Sequence, residues 1–297
     1  KKMADKSHSY RSRTLRILEK DLYPALGNLP VNQIDAPLVL AALRKVEQRT
    51  IDIAHRAKQT AGQIFRYAVA AGKVRRDPTI DLAGALSPRL KRHHAAVTDP
   101  SDVARLMRSI SSLPDSSLSK AALRLSALLF QRPGEIRHME WNEINFLARE
   151  WRIPANKMKM RRDHVVPLST AAFSILEQLR KTRRGNRFVF QSTLNKDKPM
   201  SDNTMRKALR VLGYSNETMT PHGFRAMART LLDEELEYRV DLIEHQLAHA
   251  VKDPTGRAYN RTKFLKQRVR MMEDWASYLA SLESALDENQ VDLGKSA

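Results

Sequence analysis

The segment TPHGFRAMARTLLDEEL, residues 220–236, predicts a helix whose first turn carries functional side chains. We expect Thr220 to be the N-cap, Pro221 to occupy the first helical position and His222 the second. His222 and Arg225 are three positions apart, so both side chains project from one face of the helix. The N–H groups and the partial positive charge at a helix start favour a bound anion. The segment therefore predicts an anion site; the alternative is that His222 only caps the helix or lies on the surface.

The segment EHQLAHAVKDPTGRAYNR, residues 244–261, adds His249 and places Tyr259 between Arg257 and Arg261. A tyrosine hydroxyl can act as a nucleophile in a positive field, although its free pKa of about 10 leaves it neutral at pH 7. Arginines can hold the non-bridging oxygens of a phosphate, and histidines can donate hydrogen bonds or move a proton. Together, the two segments favour chemistry on a phosphodiester.

The composition indicates a nucleic-acid partner. The chain has 297 residues, enough for two domains, and its net charge is +19. Such an excess of Lys and Arg favours a polyanion through counterion release. An anionic membrane surface is the competing interpretation, but no apolar run approaches the ~18 residues of a spanning helix. There is no cysteine, which excludes disulfides and fits a reducing cytoplasm. No carboxylate cluster suits a catalytic metal, so neither a metal nor another cofactor is expected.

Residues 1–86 have the apolar spacing of a helical domain. A first helix is expected to carry leucines at helical intervals, namely Leu15, Leu18, Leu22 and Leu26. A second helix should begin after Asp35 as N-cap, and a third should span residues 50–71 with an apolar stripe that includes Ile64. Basic residues of this domain that could lie along DNA are Lys58, Arg66, Arg75 and Arg76. The alternative for each of them is an ordinary solvated surface. Residues 87–98 are predicted to be a linker.

A second domain is predicted over residues 99–288. In the motif QRPGEIRHMEW, Pro133 suits the first position of a new helix and Glu135 its first turn. Arg132 therefore lies at the junction between a buried helix and the next one, where the fold can hold its guanidinium in place. The alternative is that Arg132 and Glu135 only cap this helix.

The clearest β pattern is EWRIPANKMKMRRDHVVPLS, with strands expected at residues 151–153 and 164–167. The turn between them carries four basic residues that could contact phosphates, namely Lys157, Lys159, Arg161 and Arg162. Residues 187–190 are predicted to form a further short strand. A helix after residue 200 should have Ser201 or Asp202 as its cap.

The last helix is expected over residues 262–286 and is either a core helix or one that docks on a neighbouring subunit. Residues 289–297 are expected to be a disordered tail. The predicted fold is therefore mainly α (α+β), with an N-terminal helical domain and a mostly helical second domain that contains a small antiparallel sheet.

The order of these motifs resembles the tyrosine recombinases, or phage integrases. The motifs follow the order of that family: an arginine in RPGE, a lysine in a β-hairpin, and then HGFR, LAH and AYNR. The sequences of these motifs are most similar to those of integrases of prophages and genomic islands of the satellite-phage type. The resemblance covers roughly residues 5–280 and is most specific over residues 131–261.

The resemblance implies a role for each motif residue. Tyr259 would be the nucleophile that forms a 3′-phosphotyrosyl link. Lys159 would be the general acid for the 5′ oxygen, with Lys157 as the weaker candidate, and Glu135 would support the first arginine. The remaining catalytic residues implied are Arg132, His222, Arg225 and His249.

The resemblance also implies the partners. They are double-stranded DNA with attachment core sites, a homotetramer that passes through a Holliday junction, and commonly a host DNA-bending protein and an excisionase, in a bacterial cytoplasm. The N-terminal domain would be a core-type DNA-binding domain. Integrases of this kind usually carry a further small arm-site domain upstream. This chain lacks that domain, which fits a start at Lys1 rather than Met, and arm-site binding by this chain is therefore not expected. The alternatives are a nicking-closing enzyme similar to type IB topoisomerases and a non-catalytic DNA-binding protein on the same fold.

Overall fold

The computed structural model describes residues 8–89, 94–182, 185, 187–249 and 264–295. The chain divides into two compact units, the first ending at residue 92 and the second starting at residue 93. Within the described part of the chain, none of the helices combines the length and the apolarity that a membrane span requires.

The first unit is helical, as predicted. Its helices are α1 (His8–Ile17), continued by a π-helical turn (Leu18–Leu22) and α2 (Tyr23–Leu26), then α3 (Ala36–Glu47) and α4 (Ile51–Ala70). Asp35 caps α3 as expected, because its carboxylate accepts from the Leu38 backbone N at 3.0 Å. The core of this unit is formed by Val39, Leu43, Ala54, Ala57 and Phe65.

Two residues of the predicted apolar stripes are more exposed than expected. Leu15 is 51% exposed and Ile64 is 41% exposed. The π-helical turn after α1 has a longer repeat than an α-helix, so it rotates the apolar face away from the spacing that the leucines suggested. Ile64 lies at the edge of a stripe whose centre is Ala57, Ala61 and Phe65.

The second unit surrounds a small sheet with helices. Its elements are α5 (Pro100–Ser111), α6 (Leu118–Leu129), α7 (Pro133–Arg137), β1 (Ile144–Asn145), β2 (Glu150–Ile153), β3 (His164–Pro167), α8 (Thr170–Thr182), α9 (Thr204–Val211), α10 (Gly223–Glu234), α11 (Val240–Gln246) and α12 (Leu265–Lys295). The strands form an antiparallel sheet in the order β1-β2-β3, with Trp151 opposite Val166. The two strands of the predicted hairpin are confirmed.

Helix α12 is part of the core of its own chain over its first turns. The apolar residues Met271, Met272, Trp275 and Leu279 are buried, as a core helix requires. The Trp275 indole N donates to the Ala127 backbone O at 2.9 Å, which ties α12 to α6. Further along, the Arg124 guanidinium pairs with the Glu283 carboxylate at 2.9 Å. The helix extends to Lys295, through residues that were expected to form a disordered tail.

The segment 187–190 is not a strand. Phe188 forms only an isolated bridge with Glu140, and Val189 N donates to the Met139 backbone O at 2.9 Å. The segment therefore pairs with the turn after α7 and not with the edge of the sheet. Its residues are typical of a strand, but their backbone hydrogen bonds are made outside the sheet. The two-residue strand β1 was not predicted, because it is too short to show an alternating pattern.

Two helix starts differ from the predictions. Helix α9 begins at Thr204 with Asn203 as N-cap, and Ser201 Oγ instead accepts from Asn203 N at 3.2 Å. Helix α10 begins at Gly223, so His222 is its N-cap and not its second residue. Thr220 keeps a capping role, since its Oγ1 accepts from Gly223 N at 3.1 Å.

Candidate active site

Arg132 lies where α6 ends and α7 begins. Phe130 has a left-handed backbone with φ of +41°, which ends α6 and turns the chain. The buried Glu135 carboxylate accepts from the Arg132 backbone N at 2.9 Å and from Arg132 Nη1 at 2.8 Å. Glu135 thus caps α7 and also orients the Arg132 guanidinium. The helix-capping role and the proposed support of Arg132 therefore belong to the same carboxylate.

Arg225 is the most firmly held cation of the site. Its side chain is buried and donates from Nη1 to the Phe130 backbone O at 2.9 Å and from Nη2 to the Leu247 backbone O at 2.8 Å. Nη2 also lies 2.9 Å from His249 Nε2. Burial first, and then the positive charge of Arg132, lower the pKa of Arg225 to about 10, so it stays charged at neutral pH. The contacts join α6, α10 and the end of α11 around one guanidinium.

The contacts of His249 determine its tautomer. Arginine N–H groups can only donate, so His249 Nε2 accepts from Arg225 and the ring proton is on Nδ1. His249 Nδ1 accordingly donates to Glu244 Oε2 at 2.5 Å, and Glu244 Oε1 accepts from Arg229 Nε at 2.9 Å. The residue before His249 is Ala248, with φ of +51°, a conformation that favours glycine. His249 is therefore held by side-chain and backbone constraints together.

His222 lies at the start of α10 in a positively charged surrounding. Its ring centre is 4.5 Å from that of His94, a residue of the predicted linker. Burial first, and then the neighbouring His94 and Arg225, lower the pKa of His222 to about 4. The imidazole is therefore neutral at pH 7 and can accept a proton.

His164, Gln131 and Gln246 were not identified from the sequence. His164 is buried at the start of β3, and its Nε2 donates to the Gln246 backbone O at 3.1 Å. Gln131 Nε2 donates to the same oxygen at 2.7 Å. Burial first, and then Arg268, lower the pKa of His164 to about 3. His164 alternates with the buried Val166 along β3, so period-two spacing could have placed it on the inner face.

The two lysines of the β2–β3 loop, residues 154–163, have different surroundings. Lys157 Nζ donates to the His138 backbone O at 3.0 Å and to Glu140 Oε1 at 2.8 Å, and it pairs with Glu143 as well. This differs from the expected phosphate contact, because its ammonium protons are used inside the protein. Lys159 is exposed and contacts none of the described residues through hydrogen bonds or ion pairs. Arg161 and Arg162 are also exposed.

The basic residues predicted to bind DNA in the first unit are only partly available. Lys58 Nζ donates to the Leu82 backbone O at 2.5 Å, so it fastens a loop to α4. Arg66 pairs with the buried Asp77 at 3.1 Å, and Arg76 pairs with Asp81. Arg75 is exposed. Lys58 is thus a structural residue here, whereas the arginines keep exposed side chains.

The structure brings Arg132, Arg225, His222 and His249 together. Tyr259 and its neighbours Arg257 and Arg261 lie outside the described residues. Lys159 lies on the loop that precedes β3, five residues before His164.

Solved structures define the class of fold. The chain is similar to a lambda integrase dimer bound to a COC′ core site, with a TM-score of 0.65 and 17% identity over 86% of this chain and 75% of that chain. It is also similar to a lambda integrase tetramer bound to a Holliday junction, with a TM-score of 0.64 and 17% identity over 87% of this chain and 76% of that one.

Matches to family models and to related proteins show which protein family the chain belongs to. The phage integrase central domain matches residues 1–85, and the phage integrase family matches residues 96–266. Prophage integrase IntA of Escherichia coli (strain K12) is 33% identical over 94% of this chain and 67% of the relative. The integrase of Enterobacteria phage P4 is 36% identical over 92% of this chain and 65% of the relative. The chain therefore belongs to the phage integrase family and is a site-specific DNA recombinase of the tyrosine type.

Proposed function

We propose that the chain cuts and rejoins double-stranded DNA at the core of an attachment site, through a covalent link between Tyr259 and a 3′ phosphate. The observation that carries this proposal is the fixed guanidinium of Arg225. Its contacts with described residues use three of the five N–H groups of an arginine, which leaves two that we assign to a phosphate oxygen. A preorganised cation of this kind stabilises the charge that develops on a phosphate in the transition state.

The proposed cleavage step keeps the number of phosphodiester bonds constant. Tyr259 Oη attacks phosphorus and forms the new P–O bond, while the bond from phosphorus to the 5′ oxygen breaks. Lys159 supplies the proton to the leaving 5′ oxygen, and the tyrosine proton passes to a base. In the second step a 5′ hydroxyl of a partner strand attacks the phosphotyrosine, so the link is exchanged for a new DNA strand.

His222 is our candidate for the group that accepts the tyrosine proton. Its pKa of about 4 keeps it unprotonated at pH 7, and the negative charge of a bound phosphate raises that pKa towards the value of an effective general base. His249 has a different part, because Arg225 and Glu244 fix its ring in one orientation. Because both ring nitrogens of His249 are engaged, we propose that His249 holds the Arg225 guanidinium in place beside the phosphate.

The domain assignment follows the same proposal. Residues 1–86 would bind core-site DNA, residues 87–98 would be the linker and residues 99–288 would carry the catalysis. Exposed arginines, with Arg75 and Arg162 among them, support phosphate contacts. We further propose a homotetramer on DNA, assisted by a host DNA-bending protein and an excisionase, that integrates and excises a prophage or genomic island at the bacterial nucleoid.

The test measures exchange between two sites. The chain is incubated with paired attachment-site DNAs and, separately, with a supercoiled plasmid that lacks such sites. We expect recombinant products only from the paired sites, and none from Tyr259→Phe, which removes the nucleophilic hydroxyl and little else. Relaxation of the plasmid by a monomer, without recombinants, would instead identify a nicking-closing enzyme and contradict the proposal.

A further inference from the structure

The residue Gln246, at the C-terminal end of α11, is a meeting point of three other elements. It is fully buried, and its backbone O accepts from Gln131 Nε2 at 2.7 Å and from His164 Nε2 at 3.1 Å. Its side-chain Oε1 accepts from Arg268 Nε at 2.9 Å and from Arg268 Nη2 at 2.5 Å. One glutamine therefore joins the α6–α7 junction, strand β3 and helix α12.

Each neighbour of Gln246 adjoins a residue of the candidate active site. Gln131 precedes Arg132 in the chain, and His164 is the first residue of β3, directly after the loop that carries Lys159. The next residue, Leu247, accepts from Arg225 Nη2 through its backbone O. The carbonyl groups at the end of α11 carry partial negative charge and suit donors and cations. The end of α11 thus sets the position of both arginines and of the strand that follows the lysine loop.

Arg268 is what fixes the side chain of Gln246. It is buried near the start of α12, and besides Gln246 it donates from Nη2 to the Val165 backbone O at 2.6 Å. A buried arginine is costly unless its N–H groups have well-aligned acceptors, so this geometry is sharply defined. The planar guanidinium holds the amide of Gln246 and the backbone of β3 at once, which a lysine could not do.

We infer that Arg268 and Gln246 are positioning residues for strand cleavage: Arg268 acts through Gln246 to hold Arg132, Arg225 and the β3 end of the lysine loop in register. The inference rests on the proposed cleavage chemistry. It gives helix α12 a part in setting the active site in addition to its part in the core. A displacement of about 1 Å in a catalytic group is enough to cost up to 10²-fold in rate.

The experiment measures single-turnover formation of the covalent complex on a nicked suicide substrate, at saturating DNA, with the full chain. Temperatures are kept below the unfolding midpoint of every variant. We expect Arg268→Met and Gln246→Leu to lower the cleavage rate by at least about tenfold, while the dissociation constant for core-site DNA changes less than about threefold. Gln246→Glu keeps an acceptor for Arg268 and should restore cleavage to within about threefold of the original chain.

The matched control is Arg124→Met. Arg124 also ties α12 to the body of the unit, through Glu283, but at a point away from the arginine and histidine cluster. We expect Arg124→Met to lower the unfolding midpoint and leave the cleavage rate within about threefold. Equal rate losses in Arg124→Met and Arg268→Met would overturn the inference, as would full activity of Gln246→Leu. Absence of a covalent complex from the unaltered chain would instead overturn the proposed function.

Discussion

The arginine and histidine cluster and the β2–β3 loop are built in opposite ways. Arg225 is 4% exposed and is fixed by three acceptors on different elements. Lys159 is exposed, on a loop between two short strands. The side chains that we propose to grip the phosphate are therefore fixed by contacts within the chain, whereas the proposed general acid is fixed by no hydrogen bond or ion pair with the described residues. Preorganisation is concentrated where charge develops in the transition state.

The same contrast separates the two lysines of the loop. Lys157 and Lys159 are two residues apart, yet Lys157 is paired with Glu140 and Glu143 and Lys159 has no such partner among the described residues. Lys157 thus fastens the base of the loop to the turn after α7, which leaves its tip to carry Lys159. The comparison predicts large catalytic effects from the cluster and the tip, and effects on stability from the base.

The largest effect is expected from the cluster. Arg225→Lys keeps one charge but cannot contact Phe130, Leu247 and His249 together. We expect the rate of covalent complex formation on a suicide substrate to fall by about 10²–10³-fold. The comparison variant is Arg210→Lys, on the exposed surface of α9, which should cleave normally. A loss below tenfold for Arg225→Lys would mean that the cluster is not a preorganised grip.

The tip of the loop should give the next largest effect. Lys159→Ala removes the proposed general acid, and we expect cleavage to slow by about 10²-fold with an unchanged unfolding midpoint. A sulfur at the leaving 5′ position needs no proton, so a 5′-thio substrate should recover most of the rate. If the thio substrate gives no recovery, the proton comes from another group.

The base of the loop should affect stability instead. Although burial alone raises the pKa of Glu140, its hydrogen bond and charge contact with Lys157 bring it below the ordinary value. Lys157→Met removes the cation that Glu140 and Glu143 share and leaves Glu140 only Arg187 among the described residues, at 3.3 Å. We expect the free energy of unfolding to fall by about 2–4 kcal/mol. Chemical denaturation measures this change. Cleavage by the folded variant should stay near normal, and a cleavage defect matching that of Lys159→Ala would break the distinction between the two lysines.

The smallest effect is expected in the pH dependence of stability, which arises from the buried His164. The pKa of His164 is about 3 in the folded chain and ordinary in the unfolded chain, so between these values the unfolded chain binds the extra proton. Stability is therefore lost as pH falls below about 6.5, by up to about 2 kcal/mol at pH 5. His164→Gln keeps a donor for Gln246 and should flatten this slope in denaturant titrations. An unchanged slope would show that His164 is not a buried neutral group.

The local features of the fold were predictable, because they depend on neighbours in sequence. Asp35 as a cap and the hairpin around Lys159 follow from spacing and turn chemistry alone. Most of the residues with candidate catalytic roles were also accessible from motifs, since Arg132 and Glu135, or His222 and Arg225, stand within one helical turn.

Contacts between distant segments were not predictable. Gln246 contacts Gln131 and His164 through its backbone O. Every residue has a backbone acceptor, so the residue type does not indicate such a contact. Lys157 was misjudged because its carboxylate partners lie on a turn formed earlier in the chain. The sequence contains one signal for Arg268. It continues the helical spacing of Met272, Trp275 and Leu279, so a charged residue lies on the apolar face of the helix. A charged residue on a core face predicts a buried polar contact.

The most direct test of the account is to identify the residue that becomes linked to DNA. The unaltered chain is trapped on a nicked suicide substrate, digested with a protease, and the peptide attached to the 3′ phosphate is sequenced by mass spectrometry. The account predicts a phosphotyrosyl bond at Tyr259. A link through another residue, or cleavage without any covalent link, would contradict it.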